Sequence, residues 1–369
     1  MSNIRDLKWY RNRVKILLAK PQPVQRSVDW FKSRNTRITA SEVASCLYKS
    51  KSTCEEYVNE FSIENFKYKD TEPLNSYETR EDYIIKKCAS FNGENVFKDS
   101  IYTLWGKKYE EVANRLYCQL NNTTVIEFGL VSHPRLKWLA ASPDGITPDG
   151  IMLEIKCPKS RKIDEKCIPI YYYTQTQIQM ETCDLDFCDF FECEIDEFET
   201  EQQFVEQIID MSYQAKGIIF QIENSGPDPK FIYPPVEIKE TEEYISWRDN
   251  LLLERKDIFP IYFFIKKYHN KRIKRSKTWF ANVKEELKKT WELIRRLQEN
   301  KEEFEKYKDS IHRIKSKLFY EKYHRTECEI YDDDSTYIFN GESMSIEMED
   351  NSIEIKVTES TNNIVCLID

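Results

Sequence analysis

Three ionisable residues suited to phosphodiester hydrolysis lie close together within residues 142–158. Asp144 follows one apolar segment, and Glu154 and Lys156 stand two residues apart in the next. Because side chains alternate between the faces of a strand, Glu154 and Lys156 point the same way. Carboxylate oxygens are ligands for Mg²⁺ or Mn²⁺, and a lysine beside them can orient or deprotonate a water molecule. The segment therefore predicts metal-dependent hydrolysis of a phosphodiester.

A hairpin is expected to position these side chains. Thr147-Pro148-Asp149-Gly150 is a turn sequence, and three strands are predicted at about 124–131, 136–143 and 150–157. A surface hairpin carrying an ordinary salt bridge would have the same charged residues. The apolar residues flanking the charges favour buried strands instead, and a buried carboxylate cluster requires a metal or other cations.

Two predicted helices add further candidates. In the helix 104–120, Glu110 is either a further metal ligand or a solvated carboxylate. In the helix 169–183, glutamines recur at every second position, so one lies near the site whichever face turns inward. Gln177 is either the residue that holds the attacking water or a phosphate oxygen, or part of a polar helix face.

Composition narrows the class of protein. The chain has 369 residues, enough for one large domain with an appendage or for two domains. Ten acids and one base lie in residues 331–369, which accounts for the whole net charge of −9 and leaves room for a basic groove elsewhere. No apolar run is long enough for a membrane span, and no secretory signal is recognised. We therefore expect free thiols for the eleven cysteines and a reducing compartment.

Patterning along the chain predicts three regions. Residues 1–240 form the main domain, beginning with a short amphipathic helix within 1–20; strands are predicted at 187–195 and about 231–238, and a helix at 200–222. Residues 241–330 are a charged helical extension, with a long helix or helical hairpin from Phe280 that lies on the main domain or on a partner chain. Residues 331–369 form a terminal hairpin or a loose acidic tail.

The most basic stretch lies in that extension. Its candidate contacts to a DNA backbone are Lys271, Arg272, Lys274 and Arg275. The stretch is also compatible with a nuclear localisation signal or with a solvated loop.

A series of ordered motifs resembles a known family. The order is Trp30…Arg34…Ile-Thr-Ala-Ser41-Glu, Trp-Gly-Lys-x-x-Glu110, Ser-Pro-Asp144-Gly, Leu-Glu154-Ile-Lys156-Cys-Pro and Gln175-x-Gln177. It is similar to lambda exonuclease and the YqaJ-like viral recombinases of the PD-(D/E)xK nuclease superfamily, over roughly residues 27–195. Residues 240–369 have no counterpart in this resemblance.

The resemblance implies an α/β fold: a restriction-endonuclease-like core with a central mixed β-sheet flanked by helices, and here a C-terminal helical extension. It also implies roles for individual residues. Asp144, Glu154, the Ile155 carbonyl and Glu110 resemble metal ligands; Lys156 resembles the residue that positions or activates water; Gln177 resembles an accessory glutamine; and Arg34 and Ser41 resemble a pocket for a DNA 5′-phosphate. A guanidinium suits that pocket, as does a hydroxyl at a helix N-terminus.

The expected activity is that of a Mg²⁺- or Mn²⁺-dependent exonuclease that degrades one strand of duplex DNA from its 5′ end, for viral recombination, repair or genome processing. The alternatives are an endonuclease or RNase on the same core, and a DNA-binding or regulatory protein with weak or no activity. Expected partners are duplex DNA ends, a single-strand annealing or host protein bound through residues 240–369, and further copies of the chain, but no membrane. The expected location is the cytoplasm, of a host cell if the protein is viral, or the nucleus.

Overall fold

The structure is a computed structural model that describes residues 5–94, 100–207, 216–223 and 229–324, together with strands between residues 329 and 368. The chain divides into two compact units, Met1–Glu299 and Asn300–Asp369. Within the described residues, no helix is both long and apolar enough to cross a membrane.

Helices and strands are interspersed along the chain. The helices are α1 (Leu7–Leu18), α2 (Val28–Asn35), α3 (Lys51–Glu60), α4 (Arg80–Phe91), α5 (Ile101–Asn121), α6 (Ile170–Cys183), α7 (Glu201–Glu206), α8 (Thr241–Glu254), α9 (Lys277–Glu299) and α10 (Lys301–His324), with a 3₁₀ helix at Ala40–Cys46. The strands of the first unit are β1 (Ile38–Thr39), β2 (Tyr48–Lys49), β3 (Lys69–Pro73), β4 (Val131–Ser132), β5 (Leu139–Ala141), β6 (Gly145–Ile146), β7 (Met152–Lys156), β8 (Phe187–Glu197), β9 (Lys216–Ile222), β10 (Phe231–Ile232) and β11 (Ile258–Lys274).

A six-stranded mixed sheet forms the centre of the first unit. Its strand order is β10-β9-β11-β8-β7-β6, and β7 and β8 run parallel while the other neighbours are antiparallel. The crossover from β7 to β8 contains α6, as a parallel pair requires. The mixed sheet flanked by helices confirms the predicted α/β fold class.

Strand β7 is covered on both faces by helices. Leu153, Ile155 and Cys157 belong to one buried cluster with the apolar side of α5. Glu154 lies on the other face, where glutamines of α6 hydrogen-bond to it. The alternation of side chains along the strand thus directs its acid towards α6 and its apolar residues towards α5.

A small three-stranded sheet brings the N-terminal segment beside this strand. Its order is β1-β5-β4, and Ile38 pairs with Leu139 in the parallel β1–β5 ladder. The 3₁₀ helix begins directly after β1, where the Thr39 amide donates a 2.9 Å hydrogen bond to Glu42 Oε2. As a result, residues 34–46 lie next to the segment that ends in Asp144.

The prediction that residues 241–325 are helical throughout is wrong at one place. Helices α8, α9 and α10 are present, but residues 258–274 form β11, the longest strand of the main sheet. Ile261, Phe263 and Ile265 are buried at alternate positions, which is the period of a strand. The charged residues that follow obscured this pattern, and acids on neighbouring β8 neutralise several of them.

Other predicted elements are confirmed or corrected in part. The helices within 1–20, 104–120 and 169–183 are confirmed as α1, α5 and α6, and the strand at 187–195 as β8. The helix predicted at 200–222 is wrong in its last part, because residues 216–222 form β9; residues 208–215 lie outside the described part. The strand predicted at 231–238 shortens to β10.

The second unit contains α10 and an antiparallel sheet. Its strands are β12 (Glu329–Ile330), β13 (Thr336–Phe339), β14 (Glu342–Glu349), β15 (Ser352–Thr358) and β16 (Asn363–Ile368), which pair in chain order. Helix α10 begins after Asn300, whose side chain accepts a hydrogen bond from the Glu303 amide at 3.1 Å.

Candidate active site

Glu154 and Lys156 lie on the same face of β7, as their spacing predicts. The Lys156 ammonium donates a hydrogen bond to Glu154 Oε1. The Glu154 side chain is 1% exposed, whereas that of Lys156 is 22% exposed. The pair therefore joins a buried carboxylate to a lysine that solvent can reach.

The predicted hairpin places Asp144 against this pair. Gly145 pairs with Leu153 across β6 and β7, and the Ile155 amide donates a 2.7 Å hydrogen bond to Asp144 Oδ2. Gly150 has φ +83° in the connecting turn, and a Cβ there would come within 2.8 Å of Tyr10. The turn sequence thus fixes the register that brings Asp144 beside Glu154.

The charges at this site act strongly on one another. Burial raises the pKa of Asp144 well above its ordinary value, and the neighbouring Glu154 and Glu110 raise it further. Burial lowers the pKa of Lys156, but Glu154 and Asp144 raise it by more, so its pKa lies above 10.5. The lysine is therefore charged at neutral pH, and the three acids repel one another.

Two glutamines of α6 orient Glu154. Gln175 donates to Glu154 Oε1 at 2.5 Å, and Gln179 donates to Oε2 at 2.6 Å. Gln177, the glutamine selected from the sequence, does not contact this cluster in the structure. Its side chain hydrogen-bonds to the Lys274 carbonyl and the Ser276 amide instead. The i,i+4 spacing of Gln175 and Gln179, which puts both on one helix face, is the signal that identifies the pair.

Glu110 lies on α5 near the cluster. Its charge contributes to the raised pKa of Asp144, and its carboxylate accepts a 3.0 Å hydrogen bond from the Arg26 guanidinium. Its side chain is 39% exposed. Glu110 is therefore an accessible acid beside Asp144, held by an arginine.

Hydrogen bonds and one cation–π contact link the cluster to Arg34 and Ser41. Gln179 also reaches the Ser142 carbonyl at 3.4 Å, and the Trp30 indole donates to Ser142 Oγ at 2.9 Å. The Arg34 guanidinium lies 4.5 Å from the Trp30 ring centre. It also lies 3.3 Å from Ser41 Oγ. The structure thus brings the two predicted phosphate-binding residues together, and a chain of contacts through Trp30 and Ser142 joins them to the carboxylate cluster.

The donor set suits a hard cation that keeps much of its own hydration. Within the described residues, no three His, Cys, Asp or Glu side chains form a ready-made metal-binding group. Mg²⁺ commonly takes only one or two carboxylates, with water and substrate oxygens completing its octahedron. Asp144 and Glu154 supply two such carboxylates, and a cation would relieve the repulsion that raises the pKa of Asp144. The residues present therefore fit Mg²⁺ or Mn²⁺, with the Ile155 carbonyl and Glu110 as candidate further ligands.

Two of the four basic residues at the C-terminal end of β11 and directly after it pair with acids of the same chain. Arg272 makes two hydrogen bonds, of 2.7 and 2.8 Å, to fully buried Asp189. Arg275 pairs with Glu181 and Asp184, and its side chain is 7% exposed. Lys271 lies 5.3 Å from the Phe61 ring centre, and Lys274 is exposed. Arg275 thus stabilises the fold and is not displayed to a ligand, so of the four predicted backbone contacts it is the least suited to that role.

Comparison with known proteins finds a family model and a viral relative that are similar to part of the chain. Residues 29–186 match the family model of the YqaJ-like viral recombinase domain. An uncharacterized protein of Acanthamoeba polyphaga mimivirus is 28% identical over 271 residues, which cover 64% of this chain and 44% of that protein. The chain therefore spans less than half the length of this curated relative.

Solved structures show a partial likeness. An alkaline exonuclease from Laribacter hongkongensis, in complex with dAMP, is 17% identical, with a TM-score of 0.41, over 79% of this chain and 100% of that one. A phage-related exonuclease from Haemophilus somnus is 14% identical, with a TM-score of 0.39, over 71% and 94% of the two chains.

The fold and site are those of a mixed α/β protein with carboxylates and a lysine gathered on one hairpin. Residues 29–186, which match the model of the YqaJ-like viral recombinase domain, include all of the ordered motifs from Trp30 to Gln177.

Proposed function

We propose that the protein is a metal-dependent DNA exonuclease that degrades one strand of a duplex from its 5′ end. The observation that carries the proposal is the convergence of Asp144, Glu154 and Lys156 on one hairpin. The YqaJ-like domain supports it, because this domain includes all three residues.

Each residue has a separate task in the proposed reaction. A bound Mg²⁺ would polarise the scissile phosphate and lower the pKa of a water molecule. Glu154 is held for this purpose by Gln175 and Gln179, so its oxygens need little reorganisation when a cation arrives. Lys156, charged and partly exposed, holds the attacking water in line with the phosphorus atom.

Arg34 and Ser41 supply the preference for an end. A guanidinium binds a phosphate through two parallel charged hydrogen bonds, and a hydroxyl can add a third. Both side chains are partly exposed on the segment that precedes and begins the 3₁₀ helix. A terminal 5′-phosphate held there would place a nearby phosphodiester at the carboxylates, so that cleavage proceeds 5′ to 3′ and leaves a 3′ overhang for recombination.

Duplex DNA ends are the proposed substrate. Recruitment of an annealing or host protein through residues 240–369, and assembly of several copies around DNA, are sequence-based predictions that extend this proposal.

The test is digestion of a linear duplex with Mg²⁺ by wild type, Lys156→Ala and Lys162→Ala. Lys162 is an exposed lysine six residues further on, which makes it a matched control. We expect wild type and Lys162→Ala to digest the duplex and Lys156→Ala to lose about 10²–10⁴-fold in rate. Cleavage of RNA alone would favour the RNase alternative, and no metal-dependent cleavage of DNA or RNA would leave a binding or regulatory protein.

A further inference from the structure

A buried lysine lies behind the pair Arg34 and Ser41. Lys87 is on α4, and its side chain is only 3% exposed. Its ammonium donates to both carboxylate oxygens of Glu42, at 2.9 and 2.8 Å. A charge this deeply buried is costly unless it is paired, and here the pairing is close on both oxygens.

Glu42 also contacts Arg34 of the proposed phosphate pocket. Its Oε1 lies 3.4 Å from Arg34 Nη2, longer than either bond to Lys87. Its Oε2 accepts hydrogen bonds from the Thr39 amide at 2.9 Å and the Tyr83 hydroxyl at 3.3 Å. One carboxylate thus lies between two cations and is held more closely by the buried one.

The balance of charge follows from this arrangement. Lys87, Arg34 and Glu42 together carry a net charge of one positive unit. Without the charge of Lys87, only Arg34 and Glu42 of this group would remain charged, and their two charges would cancel. An acid that neutralises Arg34 would compete with a phosphate for the same guanidinium donors.

We propose that Lys87 is a positioning residue for a terminal 5′-phosphate: it engages the carboxylate of Glu42, and so leaves the guanidinium of Arg34 available to the phosphate. The inference rests on the proposed function, because it assigns a task to a residue that touches no DNA. It makes a structural ion pair part of how the protein recognises an end.

The readout is the ratio of affinities for 5′-phosphorylated and 5′-hydroxyl duplexes of the same sequence, measured by fluorescence anisotropy in EDTA. Without metal, the measurement does not depend on cleavage. The variants are Lys87→Met, which keeps a long apolar side chain without its charge, Glu42→Gln, and the double variant. Lys86→Met is the control, because Lys86 is exposed on the same helix and pairs with Glu78.

We expect wild type and Lys86→Met to bind the phosphorylated duplex more tightly than the hydroxyl duplex. In Lys87→Met the ratio of the two affinities should fall about tenfold, which is the effect of one charge near the site. Affinity for the hydroxyl duplex should change little. The double variant restores the net positive charge and leaves Arg34 without an acid, so it should recover the preference. A merely structural ion pair would give no such recovery.

The outcomes separate the two proposals. Equal affinity of wild type for both duplexes would contradict the phosphate pocket itself. A preference in wild type that Lys87→Met retains would overturn the role of Lys87 and leave the pocket intact. A loss of preference in Lys87→Met that the double variant does not recover would also overturn it, provided that thermal unfolding shows both variants folded.

Discussion

Gln179 donates a 2.6 Å hydrogen bond to Glu154 and so connects the inner face of α6 to the catalytic candidate on β7. The other amide atom of this side chain, Oε1, is buried without a partner among the described residues. We predict that Gln179→Met lowers kcat roughly 10–100-fold, since it removes a residue that orients a metal-ligand candidate. Steady-state digestion of a phosphorylated duplex measures this, and an unchanged kcat would contradict the role.

Gln177→Met is the matched change on the opposite side of the same helix. Gln177 bridges the Lys274 carbonyl and the Ser276 amide at the junction of β11 and α9. We predict a loss of roughly 1–3 kcal/mol in the free energy of unfolding, because buried polar groups lose their partners. The kcat of the folded fraction should stay near that of wild type. A large fall in kcat would support the sequence-based prediction that Gln177 belongs to the active site.

Metal binding can be tested without any substrate. Mg²⁺ should raise the Tm of wild type by mass action and leave that of Asp144→Asn unchanged. In EDTA at neutral pH, Asp144→Asn should be at least as stable as wild type, because burial and neighbouring acids raise the pKa of Asp144 and make its ionised form unfavourable. Differential scanning fluorimetry in MgCl₂ and in EDTA measures both Tm values. If Mg²⁺ raised the Tm of both proteins equally, the cation would not bind at Asp144.

The ion pair behind the phosphate pocket should give a pH signature. Although burial opposes it, Lys87 and Arg34 lower the pKa of Glu42 from 4.5 to about 2. A carboxyl group whose pKa is lowered by folding stabilises the folded state at every pH above its unfolded-state pKa. For Glu42 this stabilisation is about 3 kcal/mol, and it is lost as the pH falls from 4.5 towards 2. Urea unfolding of wild type and Glu42→Gln should show their stability difference narrowing over this range. A constant difference would contradict an ionised Glu42.

Arg272 on β11 should prove more important for folding than for binding. It supplies the charge partner of Asp189, which is fully buried and also accepts a 2.8 Å hydrogen bond from the Tyr117 hydroxyl. We predict that Arg272→Ala costs about 1–3 kcal/mol, because it removes two hydrogen bonds to a buried carboxylate, although the Arg272 side chain itself is 55% exposed. Urea unfolding measures the loss. Little change in stability, together with a large loss of DNA affinity, would restore the role predicted from the sequence.

The site was easier to predict from the sequence than the outer part of the sheet. Strand alternation and the turn at 147–150 were enough to place Asp144 beside Glu154 and Lys156. The sequence could not choose among the glutamines, because residues i and i+4 share one face of a helix and only the packing of α6 decides which face turns towards Glu154. Lys87 and Glu42 are 45 positions apart in the sequence, and no local sequence pattern predicts that they pair.

Strand β11 shows a different limit. Its basic residues resemble those of a surface segment when the chain is read alone. Acids on β8 pair with two of them: Lys266 with Glu194 and Asp196, and Arg272 with Asp189, which lies 83 residues earlier. These cross-strand pairs add to the buried alternation of Ile261, Phe263 and Ile265, which is the strand pattern of the segment.

The central claim is most directly tested by comparing linear and covalently closed circular forms of one duplex, with Mg²⁺ and with wild type or Asp144→Asn. We predict that wild type releases mononucleotides from the 5′-phosphorylated ends of the linear form, leaves 3′ single strands, and does not cut the circle, while Asp144→Asn degrades neither form. Cleavage of the circle at internal positions by wild type would contradict an exonuclease and support an endonuclease built on the same residues.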